Sequence, residues 1–106
     1  MDTRKIKDTL DSLIVALCAD YPRRADRIRE GSLPHATEME YKYLNYKIYD
    51  AAAEVVGERL AEIYVLEIGE RTGYAASRID SVSESTYKIA KNRIKGGIAR
   101  KLHLCT

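Results

Sequence analysis

Tryptophan and phenylalanine are absent from this 106-residue chain, and proline occurs only twice. The core must therefore be built from Leu, Ile, Val and Ala, with eight tyrosines supplying the aromatic bulk. So few prolines leave room for long helices. The longest apolar run, Leu13 to Ala19, has seven residues, far short of the ~20 that a membrane span requires. The N-terminus, where Asp2, Asp8 and Asp11 interleave with basic residues, lacks the apolar stretch and cleavage site of a signal peptide. Cysteine is scarce as well. Cys18 and Cys105 are unclustered and read as free thiols in a reducing compartment, with Cys18 a small core residue. A cytoplasmic protein without a membrane partner is expected.

The parts needed for catalysis are missing too. The two histidines, His35 and His103, read as solvated surface residues. No Cys-x-x-Cys or His-Glu-x-x-His is present, which argues against zinc. Gly69-Glu70-Arg71-Thr72-Gly73 lacks the lysine and flanking strand of a phosphate loop. The expectation is no enzyme, no catalytic or metal-binding residue and no cofactor.

What is present is a composition, 45% hydrophobic and 32% charged, that supports one globular domain over residues 1–106. Its charge is unevenly spread. Residues 1–77 hold eleven Lys/Arg against fourteen Asp/Glu, whereas residues 78–106 hold seven against two, a local net of +5. Such asymmetry in a small domain suggests an electrostatic task for the C-terminal part, with nucleic acid the commonest partner.

Periodicity points to an all-α fold, a small helical bundle. Ile6, Leu10, Leu13, Ile14 and Leu17 form one stripe of a helix over about 3–19, with Asp2 or Thr3 as its N-cap. Pro22 opens a short second helix to Glu30, capped by Asp20 or Tyr21 and with Gly31 after its end, completing an N-terminal unit over 3–31. That helix is basic, with Ala25 and Ile28 its inward positions. Thr37 and Glu40 have capping-box spacing, and apolar positions from Tyr41 through Val56 and on to Leu66 read as one long central helix over 37–72. Two helices hinged at Gly57 are the alternative. The carboxylates Asp50, Glu54, Glu58 and Glu62 recur every four residues. They form a solvated face, a patch for a basic partner, or a seat for the chain's own basic tail; RNA polymerase is a further candidate partner for this acidic helix.

Residues 75–104 read as a helix-turn-helix-like unit. A short helix at 75–81 with Ile79 buried precedes a turn capped by Ser83 and a basic helix from Glu84 to about Leu102. The inner face of that helix is Tyr87, Ala90, Ile94, Ile98 and Leu102. Gly96-Gly97 either kinks it or lets a neighbouring backbone come close. In helix-turn-helix proteins the N-terminal residues of the second helix meet base edges in the major groove. Here those are Ser83, Ser85 and Thr86, with Lys88, Lys91 and Asn92 further on; Asn suits adenine and Lys suits guanine. Arg78, Arg93, Lys95, Arg100 and Lys101 would anchor phosphates. Double-stranded DNA is the expected partner. The alternative is that this helix packs on the acidic one as a structural element.

Ser83-x-x-Thr86-Tyr87-Lys88, then Lys91, Ile94 and Ile98-Ala99-x-x-Leu102-x-Leu104, resemble the small phage transcriptional regulators of the RinA and ArpU type, which have a sigma-factor-like helix-turn-helix. Asp20-Tyr21-Pro22-Arg23-Arg24 with Ile28, and Tyr43-Leu44-Asn45 with Ile48, resemble the group's N-terminal helices in order and spacing. The resemblance implies a DNA-binding regulator of a phage or mobile element. One departure is that Asp80, not an apolar residue, stands two before Val82, which implies a longer turn or a rotated first helix. A second reading is a non-enzymatic assembly or adaptor protein, such as a small DNA-packaging subunit. It would be a homo-oligomer joined through the long helix and Tyr43, Tyr46 and Tyr49.

Overall fold

The computed structural model describes residues 3–104, with side chains from Asp8 onward. It is all-α: α1 (Thr3–Ala19), α2 (Tyr21–Glu30), α3 (His35–Val56), α4 (Glu58–Glu70) and α5 (Glu84–Lys101), with a single 3-10 turn at Tyr74–Ala76. Asp2, the Ile6 side chain and Cys105 lie outside the described residues.

The central pattern does not make one continuous helix. It breaks at Gly57, whose φ of 85° and ψ of 162° lie in a region open essentially only to glycine. The reason is burial. Tyr41–Val56 and Leu60–Ile68 each carry an apolar stripe, and a straight helix of that length would leave much of both in water. With the break, α4 packs back on α3, and Ile48 and Ala52 share a core with Ala61, Tyr64, Val65 and Ile68. Fully burying one such isoleucine stabilises the fold by about 1.5–3 kcal/mol, more than the ~1 kcal/mol at stake in helix propensity at one glycine.

Gly69 serves α1 differently. A Cβ there would lie 2.5 Å from the Ala19 backbone nitrogen and 2.6 Å from its Cα, so the end of α1 touches the backbone of α4. The buried face of α1 is Ile14, Val15 and Cys18, while Leu13 is 44% exposed, a rotation from the face that the Leu/Ile spacing predicts. Cys18 is a core residue as expected, and burial pushes its thiol up to about 12.

Two expected caps differ. α3 starts at His35 with Pro34 before it and no side-chain cap, because proline offers no side-chain acceptor; its carbonyl takes the Glu38 N–H at 2.9 Å. Thr37 and Glu40 therefore sit inside the helix and form no capping box. Asp20 precedes α2 without capping an amide; its carboxylate takes Arg23 Nε at 2.6 Å and Arg24 Nη1 at 3.3 Å.

Arg24 is buried, not part of a basic surface. Its Nε donates to Asn45 Oδ1 at 2.7 Å and its Nη2 to the Leu17 carbonyl at 2.6 Å. Asn45 Nδ2 in turn donates to the Tyr21 carbonyl at 3.1 Å. This knot ties α1, α2 and α3 together. Arg23, Arg27 and Arg29 are each paired with a carboxylate of α2 or its approach. The basic composition of α2 is therefore spent within the helix.

Candidate nucleic-acid interface

The short helix expected at 75–81 is absent. After α4 the chain makes the 3-10 turn and then runs without regular structure, bending at Arg78 and at Ser81, whose φ is 67°, to α5. The cause is Glu67, fully buried on α4. Its Oε1 accepts from Ser77 Oγ at 2.6 Å and Tyr87 Oη at 2.8 Å. Its Oε2 accepts from the Arg78 backbone N–H at 2.8 Å and Arg78 Nε at 3.1 Å. Ser77 Oγ also accepts the Ile79 N–H at 3.0 Å. Side-chain acceptors thus take the amides that a helix would use. Ile79 is buried as expected, but from an irregular segment. Burial alone would push the Glu67 carboxyl up; its hydrogen bonds from Ser77, Arg78 and Tyr87 outweigh that and hold it below the usual carboxylate range.

α5 is unbroken from Glu84 to Lys101. Ser83 caps it, accepting the Thr86 N–H at 3.1 Å and donating to Thr86 Oγ1 at 2.9 Å. Gly97 faces Ala51 of α3, where a Cβ would come within 3.4 Å of the Ala51 methyl. That is an ordinary contact, so neither glycine is required by a close backbone approach, and the helix runs on through both. Tyr87, Ala90, Ile94 and Ile98 form the inner face, as the spacing predicts, and Leu102 packs at its margin.

The nine residues singled out from the sequence separate on this geometry. Arg78 is held by Glu67 and, at 3.3 Å, by Glu70. The Ser83 hydroxyl is occupied as the cap. Lys91 lies half-buried, donating to the Thr72 carbonyl at 2.7 Å with its ammonium 4.9 Å from the Tyr87 ring centre; burial lowers its pKa, as does neighbouring Lys95. Lys95 pairs with Asp11 of α1 at 2.8 Å. Lys88 is exposed and pairs with Glu84 at 3.0 Å along the helix, an interaction of no more than about 1 kcal/mol that an incoming phosphate can displace. Ser85, Thr86, Asn92 and Arg93 are exposed.

The acidic row also separates, because Glu58 and Glu62 fall beyond the break. Asp50 and Glu54 hold Lys101 at 2.9 and 2.8 Å, so the acidic face of α3 seats the chain's own basic helix.

What remains is the outer face of α5. Ser85, Ile89, Asn92, Gly96 and Arg100 follow one another at three- and four-residue steps, with Arg93 beside them. No carboxylate stands on this stripe. Neither arginine has an ion pair or hydrogen-bond partner among the described residues. Ile89, Asn92, Arg93, Gly96 and Arg100, with Val55 of α3, line an open groove of about 480 Å³. Ile89, among these, is 53% exposed.

Sequence reasoning passed over Ile89, Arg24 and Glu67. Glu67 did leave a signal, since it lies three residues from Tyr64 on the apolar side of α4. Arg24 and Asn45 left none, being polar residues 21 apart in the chain.

Among the described residues no helix is long and apolar enough to cross a membrane. No group of three or more His, Cys, Asp or Glu comes together there as a metal site. No family model, curated protein or solved structure matches the chain.

Proposed function

We propose that the chain binds double-stranded DNA through the outer face of α5 and acts as a transcriptional regulator of a phage or mobile element, without doing chemistry of its own. The observation that carries this is the carboxylate-free stripe of Ser85, Asn92, Arg93 and Arg100, in a chain whose other basic groups near α5 are engaged in ion pairs or internal hydrogen bonds. Arginine and asparagine on one exposed helical face are the donors that duplex DNA accepts at phosphates and base edges. The Ser83 cap and the Glu67 anchor fix the start of the helix, which favours a rigid reading element. The resemblance to RinA and ArpU type regulators points the same way. α4 and α5 would then act as a helix pair joined by a longer irregular connection instead of a tight turn.

Selection from a random duplex library near physiological salt is the test. Enrichment of a defined motif, with affinity falling steeply as salt rises, is the expected result. Failure to enrich any motif would refute sequence-specific binding.

One observation favours a second reading, assembly through α3. Met39 is 53% exposed, Tyr43 47% and Tyr46 62%, on one side of that helix. Lys47 lies 5.6 and 5.9 Å from the two tyrosine ring centres. Tyr49, by contrast, packs against the core. Aromatic side chains are enriched at protein interfaces. Light scattering on a sizing column separates the readings, since a monomer at working concentration excludes a homo-oligomeric assembly.

A further inference from the structure

The outer face of α5 contains one residue that phosphate attraction does not explain. Ile89 is an aliphatic side chain, 53% exposed, set among polar and cationic neighbours and lining the same groove as Asn92, Arg93 and Gly96. A branched hydrocarbon left in water on such a face gains by burial against an apolar group of the partner. In the major groove of DNA one base offers such a group, the 5-methyl of thymine. Asn92 stands one turn further on. Three residues along an α-helix advance ~4.5 Å and leave the two side chains about 60° apart around its axis. That advance is close to the ~3.4 Å between stacked base pairs on a strand. The asparagine amide, with a donor and an acceptor side by side, matches the N6 and N7 edge of adenine. The two side chains therefore suit neighbouring A·T pairs.

We infer that Ile89 and Asn92 form an A·T-reading pair, Ile89 packing on a thymine methyl and Asn92 bonding an adenine one base step away, with Arg93 and Arg100 holding the flanking backbone. Gly96 keeps the face low between the two arginines, where a larger side chain would hold the duplex off. This rests on the DNA-binding reading above and adds the base content of the site.

The test uses the full chain and the best duplex from the random-library selection. In that duplex each thymine is replaced in turn by deoxyuridine, which removes only the 5-methyl group. Wild type should select a motif with adjacent A·T pairs. Deoxyuridine at one position should weaken it about three- to fivefold, the worth of one buried methyl. Ile89→Ala should bind the two duplexes equally. Asn92→Ala should lose discrimination at the neighbouring pair by about tenfold or more. Circular dichroism and urea midpoints of both variants should match wild type, since both side chains are exposed. A selected motif indifferent to every thymine methyl, or a methyl effect that persists in Ile89→Ala, overturns the assignment while leaving a DNA-binding protein. If no motif is selected, the DNA-reading function falls and the base assignment with it.

Discussion

The ammonium of Lys91 and the carbonyl of Thr72, nineteen residues apart, are joined by a 2.7 Å hydrogen bond. A lysine expected from its spacing to meet DNA is thereby a tie between α5 and the turn after α4. Tyr87 Oη reaches the same carbonyl at 3.2 Å and Glu67 on its other side. The inner margin of α5 is thus bound both to α4 and to the turn that follows it.

Lys91 and the two outer arginines should consequently respond to substitution in opposite ways. Lys91→Met is expected to lower the unfolding free energy by about 1 kcal/mol, the worth of one hydrogen bond, as read from urea denaturation. Arg93→Ala and Arg100→Ala should leave stability within about 0.5 kcal/mol of wild type. Each should instead reduce the salt slope of duplex binding by about one. Unchanged salt slopes in both arginine variants would mean that DNA, if bound, meets another face.

Glu67 ties stability to pH. Its carboxyl is held below the usual range in the folded state, so the folded chain binds fewer protons there than the unfolded one. That stabilisation is complete above the ordinary carboxylate range and is lost as pH falls through it and below. Glu67→Gln should cost about 1–3 kcal/mol at neutral pH. It should also lose less further stability than wild type between neutrality and about pH 3. Parallel pH profiles of the two proteins would show that the carboxylate charge contributes nothing.

Two glycines should give opposite signs on substitution by alanine. Gly69→Ala places a Cβ within 2.5–2.6 Å of the Ala19 backbone, and backbone cannot rotate aside. A loss of about 1–3 kcal/mol is expected. At Gly96 the nearest atom is the flexible Arg100 guanidinium at 3.5 Å, so Gly96→Ala should gain up to about 1 kcal/mol from helix propensity. Thermal unfolding of the two variants beside wild type reads both.

Cys18 should be chemically silent. It is fully buried with its thiol pushed up to about 12, and the thiolate is the reactive form. In a Cys105→Ser background, a disulfide reagent at mildly alkaline pH should find no thiol until urea unfolds the chain. Rapid labelling of the folded protein would mean that α1 opens away from α4.

The helices were legible because their apolar spacing is local information, and so was the inner face of α5. The break at Gly57 was not, since one long stripe and two shorter ones folded on each other have the same local pattern. Only the demand that both stripes be buried decides between them. Among the expected site residues, charge alone could not tell an outward arginine from an inward one. Arg93 and Lys95 look alike in the sequence, yet one faces solvent and the other meets Asp11, 84 positions away in the chain. Long-range pairs of that kind also hid the Arg24–Asn45 knot and diverted 75–81 from a helix to Glu67.

The two sides of α5 are separately editable. Its inner side is written into the fold through Tyr87, Lys91, Lys95 and Lys101, whereas Ser85, Ile89, Asn92, Arg93 and Arg100 share no side-chain hydrogen bond with the remaining described residues. Substitutions at those five positions can accumulate without asking the rest of the chain to adjust. The outer face of α5 can therefore change its chemistry in single mutational steps, each intermediate folding about as well as its parent.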